Sequence, residues 1–174
     1  MKNLGHRLGA SGTILENTIE GLLESLDLVS DKRFKYWEFD VRESSDGVLF
    51  AFHDDCIKIN GKMIETRYLS YDEIYRTGES MMINIPTFKQ IIETLKDRDE
   101  RVMIEIKNVH SDNGRDDLLR SVSGNENWML MSTPERFIES FPSENRELWN
   151  IRARELGVKP VSYTHLRAHE TPAN

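Results

Sequence analysis

The sequence is poor in cysteine, has no excess of positive charge and contains no long apolar run. Its one cysteine, Cys56, excludes an intramolecular disulfide and fits a reducing compartment. Cys56 follows "HDD", yet its residue type reads first as a small buried thiol and not as a nucleophile. Lysine and arginine total 23 against 30 acidic residues, and the net charge of -7 excludes the basic footprint of an electrostatic nucleic-acid binder. No stretch approaches about eighteen consecutive apolar residues, so no membrane insertion is expected. The opening "MKNLGHRLGA" lacks the apolar h-region of a signal peptide, and a cytoplasmic location is the expectation. What is present is 174 residues, 38% hydrophobic and 30% charged, which suits one rather polar globular domain.

Along the chain, strand and helix patterns alternate. "MKNLGH" reads as a weak first strand, in which only Leu4 is strongly apolar, followed by a Gly- and Ser-containing loop. "NTIEGLLESLDLVS" repeats Ile19, Leu22, Leu23, Leu26 and Val29 at helical spacing, with Asn17 or Thr18 as the cap. "KYWEFDVRE" is a strand, "SSDG" a turn and "VLFAFHD" a second strand. A loop or ribbon is expected around Asn60-Gly61, then a short helix over "SYDEIYRTG" closed by Gly78. "IPTFKQIIETLKD" predicts a helix burying Phe88, Ile91, Ile92 and Leu95, with Pro86 near its start. "RVMIEIKNV" and "NWMLMS" are strands, "DDLLRSV" a short helix, and Thr133-Pro134 opens another. "RELWNIRARELGVKP" fits strand or helix. The order argues for parallel βα units in an α/β domain.

The final stretch "VSYTHLRAHETPAN" has no apolar period and no cap. Val161 through Thr171 resemble the translation of a transposase-type sequencing adapter, residue for residue. His165 and His169 would otherwise suggest an i, i+4 metal pair. Residues 1–160 are therefore expected to form the domain and 161–174 a non-native tail, set aside from fold reasoning.

Two strands carry charge on one parity. Trp37, Phe39 and Val41 alternate with Glu38, Asp40 and Arg42, and Val102, Ile104 and Ile106 alternate with Glu105 and Lys107. An antiparallel strand with a wet face would explain either one alone. In a parallel βα sheet both faces are covered, and clustered carboxylates then need a cation between them. Oxygen ligands of this type suit Mg²⁺ or Ca²⁺, so Glu38, Asp40 and Glu105 are the candidate metal ligands. His6 and His53 each follow a predicted strand, and a histidine pair titrating near neutrality serves as general acid and base. Arg7 and Lys107 supply fixed cations for a phosphate group. Asn17, in "ENT", is equally a helix cap or a ligand contact.

In this order, "GHR", "ENT", "WEFDV", "DGVLFAFHD", "IPTF" and "IEIK" resemble the glycerophosphodiester phosphodiesterase family from about residue 4 to residue 160, most closely as far as residue 108. The resemblance implies a TIM-type βα barrel with a segment inserted after the hairpin, and sites at the C-terminal ends of strands. By motif, Glu38, Asp40 and Glu105 resemble the family's metal ligands, His6 and His53 its acid/base pair, and Arg7, Lys107 and Asn17 its phosphate contacts. The implied reaction is metal-assisted hydrolysis of glycerophosphodiesters to glycerol 3-phosphate and an alcohol, through attack by the substrate's own 2-hydroxyl and opening of a cyclic phosphate by water.

Two departures accompany the resemblance. The family places glycine after "HR", where this chain has Leu8. A complete barrel needs about 250 residues, so the 1–160 segment is expected to supply only the N-terminal portion, four to five βα units, to fold poorly and to turn over little. Rival functions are a phospholipase D-type cleavage of a lysophospholipid or sphingolipid, which apolar loops and disulfides would favour, a non-catalytic half-barrel binding fragment, and a generic βα domain.

Overall fold

A computed structural model describes residues 3–158. The expected tail over 161–174, with His165 and His169, lies outside the described residues.

The sheet is built on strand β1 (Trp37–Glu43), every residue of which is buried. Both faces are covered, as a parallel βα sheet requires. β2 (Leu49–Ala51) returns antiparallel along its C-terminal half. Two further strands complete the sheet: β5 (Val102–Asn108) runs parallel to β1 and β6 (Trp128–Met131) parallel to β5. The order is β2-β1-β5-β6. The parallel strands thus follow one another in space as they do in sequence, the arrangement of a barrel wall.

The apolar parity of the strands packs outward. Trp37, Phe39, Val41, Val102, Ile104 and Ile106 form one core with Phe88, Ile91 and Leu95 of helix α3 (Phe88–Leu95) and Leu118, Leu119 and Val122 of α4 (Asp112–Val122). α3 and α2 (Tyr71–Ser80) begin in capping boxes, Thr87 with Gln90 and Ser70 with Glu73. The inserted segment has its own small core: Phe50, Ile57, Leu69, Ile74 and Ile85 lie under α2 and the ribbon β3 (Cys56–Ile59) and β4 (Lys62–Glu65). Asn60 and Gly61 turn that ribbon with φ of 49° and 81°, the paired left-handed residues that a tight hairpin needs.

Several expectations are corrected. The described part of "MKNLGH", from residue 3 on, forms no strand. Residues 4–10 are successive turns, because Arg7, Leu8 and Gly9 have φ of 50°, 59° and 82°, and a strand cannot hold such residues. The segment still lies along β1: the Glu38 N–H donates to the Gly5 carbonyl at 2.9 Å and the Leu8 N–H to the Glu38 carbonyl at 2.7 Å. The described residues consequently contain three parallel strands in place of four or five βα units. The first helix stops early: α1 (Ile19–Glu24) gives way at Ser25 to a 3-10 turn over Leu26–Ser30, and Leu23 is exposed. Thr18, not Asn17, caps α1. Gly78 does not close α2 but lies within it, where a Cβ would come within 2.7 Å of the Ile83 carbonyl oxygen. "RELWNIRARELGVKP" resolves as helix α6 (Arg146–Glu155), after α5 (Pro134–Ser140). Cys56 is half-buried and free. Among the described residues no helix is long and apolar enough to cross a membrane.

Candidate functional site

The charged parity of β1 and β5 converges on the side of the sheet away from the helices. Asp40 and Glu105 are direct neighbours across the parallel pair, with Glu38 one step below. The register shifts after Val41, which pairs with Ile106, whereas Arg42 pairs with Asn108. Lys107 is the extra residue of this bulge, the kind of irregularity that re-aims side chains beside active sites.

Glu38, Asp40 and Glu105 bring one carboxylate oxygen each within 4.8 Å of one another. Glu38 is held by the Arg7 N–H, which donates to its Oε2 at 2.9 Å. Its other oxygen, Oε1, is buried and has no hydrogen-bond partner. Burial first, then the charges of Asp40 and Glu105, push the Glu38 carboxyl up to about 8. A buried carboxylate with an orphaned oxygen beside two others is a donor set suited to a hard divalent cation. Lys107 bridges the other two, with Nζ 3.1 Å from Asp40 and 2.5 Å from Glu105. Burial opposes the ammonium's charge, but Asp40 and Glu105 outweigh it and raise its pKa.

Asn17 is buried, adopts φ 60° and spends both ends of its amide on Asp40. Its Nδ2 donates to Asp40 Oδ2 at 2.8 Å, and the Asp40 N–H donates to its Oδ1 at 3.1 Å. Its amide therefore orients a carboxylate, and the cap of α1 is Thr18. Arg7 lies 3.8 Å from Asp40 and is gripped by Glu16 through Nη1 at 2.8 and 2.9 Å. Glu16 belongs to the same "ENT" motif as Asn17, but only the fold shows its grip on Arg7.

The histidines flank the cluster. His6 Nε2 is 3.6 Å from Glu38, while its Nδ1 meets the Ser11 hydroxyl at 2.9 Å. Burial, then Arg7, lowers its pKa, and His53 is near enough to lower it further. His53 sits just past β2, its Nδ1 2.7 Å from Asp54. It lines a cavity of ≈ 170 Å³ together with Glu105, Lys107, Arg42, Asp54, Asp55, Thr133 and Arg136. Arg42 and Arg136 were missed as functional candidates. Arg42 did share the charged parity, and that was the available signal.

The sequence model of the glycerophosphoryl diester phosphodiesterase family matches residues 6–170. No curated protein sequence matches the chain significantly. Among solved structures, a glycerophosphodiester phosphodiesterase from Thermotoga maritima is similar at 25% identity and a TM-score of 0.54, covering 74% of this chain and 53% of its own. One from Parabacteroides distasonis has 23% identity and a TM-score of 0.53 over 88% of this chain and 68% of its own. The glycerophosphoryl diester phosphodiesterase domain of a protein from Mycobacterium tuberculosis has 13% identity but a TM-score of 0.62, over 93% of this chain and 60% of its own. The chain spans about half the length of the first of these. The likenesses show a shared TIM-like α/β fold with a parallel sheet. By the match over residues 6–170, the chain belongs to the glycerophosphoryl diester phosphodiesterase family.

Proposed function

We propose that this chain carries the reaction centre of a phosphoric diester hydrolase acting on glycerophosphodiesters, releasing glycerol 3-phosphate and an alcohol. The observation that carries this reading is the carboxylate cluster: three acidic side chains within 4.8 Å, one of them with a buried, partnerless oxygen. Glu38, Asp40 and Glu105 would hold Mg²⁺ or Ca²⁺. Such a cation, when bound, neutralises charge on the non-bridging phosphate oxygens.

The remaining work belongs to the chain's own groups. Lys107 and Arg7 lie against the same carboxylates and present two fixed cations to a phosphate beside them. Asn17 keeps Asp40 aimed. Of His6 and His53, one takes the proton from the 2-hydroxyl of the substrate glycerol, and the other protonates the leaving alcohol. The new oxygen–phosphorus bond forms as the ester bond breaks, and water then opens the cyclic phosphate. The single free cysteine supports a reducing compartment, the cytoplasm.

The test is an assay of the full chain with glycerophosphocholine, reading glycerol 3-phosphate. Turnover should vanish in EDTA and return with Mg²⁺ or Ca²⁺. It should follow a bell-shaped pH profile and fall at least about 100-fold in His6→Ala and in His53→Ala. Turnover indifferent to EDTA, or undiminished in both histidine variants, would count decisively against the proposal.

A further inference from the structure

We propose that Arg42 is the positioning residue for His53, holding the turn that presents its imidazole to the carboxylate cluster. The inference rests on the role given to His53 above. His53 lies between the end of β2 at Ala51 and the start of β3 at Cys56, outside both ladders. Strand pairing therefore does not fix it. Its own side-chain partner, Asp54, is 69% exposed and cannot fix the ring by itself.

The Arg42 guanidinium holds this turn from below. Nε donates to the Phe52 carbonyl at 3.1 Å, Nη2 to the His53 carbonyl at 2.5 Å and Nη1 to Asp55 at 2.8 Å. Three donors of one rigid planar group thus reach three residues around His53, a match that a flexible ammonium cannot reproduce. The side chain is only 4% exposed, so water does not compete for these bonds. Arg42 stands two residues beyond Asp40 on the same face of β1, and the Phe52 N–H also donates to the Asp40 carbonyl at 3.2 Å. One strand therefore carries two of the carboxylates and the anchor of the histidine. Arg136, near the start of α5, closes the far side by donating through Nη2 to both oxygens of Asp55, at 2.8 and 2.7 Å.

A merely structural Arg42 and a positioning Arg42 differ in what they disturb. The full chain is labelled with ¹⁵N-histidine, and the imidazole signals of His6 and His53 are assigned from His→Gln variants. In Arg42→Lys, which keeps the charge and loses the fork, the His53 signal should split or broaden while His6 keeps its position and width. Asp55→Asn, at a side chain 51% exposed, should perturb His53 in the same sense. With glycerophosphocholine, kcat of Arg42→Lys should fall about 10- to 100-fold with KM within about twofold, and guanidinium ion should partly restore Arg42→Ala. The proposal is overturned by an unchanged His53 signal in both variants, or by equal loss of the His6 and His53 signals, which marks general loosening. Should Arg42→Lys fail to fold by circular dichroism, Asp55→Asn decides. Should the unsubstituted chain prove inactive, the proposed function fails, and the imidazole signals still decide the positioning.

Discussion

Leu8 combines two demands that rarely meet in one residue. It adopts φ 59°, a conformation that disfavours any side chain with a Cβ, and it is fully buried in the main core. The glycerophosphodiester phosphodiesterase pattern has glycine here, which the backbone conformation explains. Replacing Leu8 with glycine would relieve about 1–2 kcal/mol of backbone strain. It would also remove a buried leucine, worth about 2–5 kcal/mol. The second term wins, so Leu8→Gly should lower unfolding free energy by up to about 4 kcal/mol in urea titration. A gain in stability would show that strain, not burial, governs the loop. None of this was visible in the residue string beyond the missing glycine, because φ values and burial arise from packing against Glu38 and the core.

At the scale of elements, what was legible was local. The helical stripe of Phe88, Ile91 and Leu95, the Thr133-Pro134 start, the Asn60-Gly61 turn and the alternation of β1 and β5 all rest on neighbours within a few residues. What failed depended on distant partners. The weak strand at Leu4 became turns docked on β1, and the break at Ser25 interrupts an apolar stripe that looked continuous. Glu43 shows the same limit. It is completely buried at the end of β1, and its carboxylate accepts from the His110 N–H at 2.6 Å, the Ser111 N–H at 2.9 Å and the Ser111 hydroxyl, just before α4. Gly114 permits this approach, since a Cβ there would stand 3.0 Å from the carboxylate. Glu43→Ala would leave those part-buried donors without their acceptor, at a cost of about 1–3 kcal/mol. Amide hydrogen exchange should accelerate first in α4, and an unchanged α4 would refute the assigned role.

For the whole molecule, the candidate site was more legible than the fold that carries it. Strand parity put Glu38 with Asp40 and Glu105 with Lys107, and the parallel pairing of β1 with β5 joins the two sets. Parity marks Arg42 but not its partner: Asp55, which Arg42 shares with Arg136, lies on a loop whose position no periodicity records. Bringing the carboxylates together has a global consequence that can be measured. In the folded chain Glu38 titrates near 8 instead of at its ordinary 4.5, owing to burial and then to Asp40 and Glu105. Between those values the folded state keeps a proton that the unfolded state has released, so this group makes stability fall as pH rises through the window. A divalent cation held by the three carboxylates would take that proton's place, and its stabilisation of the folded chain would grow over the same window. In thermal melts, Ca²⁺ or Mg²⁺ should raise the midpoint more at about pH 8.5 than at about pH 5. EDTA should abolish the difference. Glu38→Gln, which never ionises, should flatten the Glu38 contribution and blunt the response to metal. A metal-induced shift equal at both pH values, or one that survives Glu38→Gln unchanged, would remove Glu38 from the metal centre.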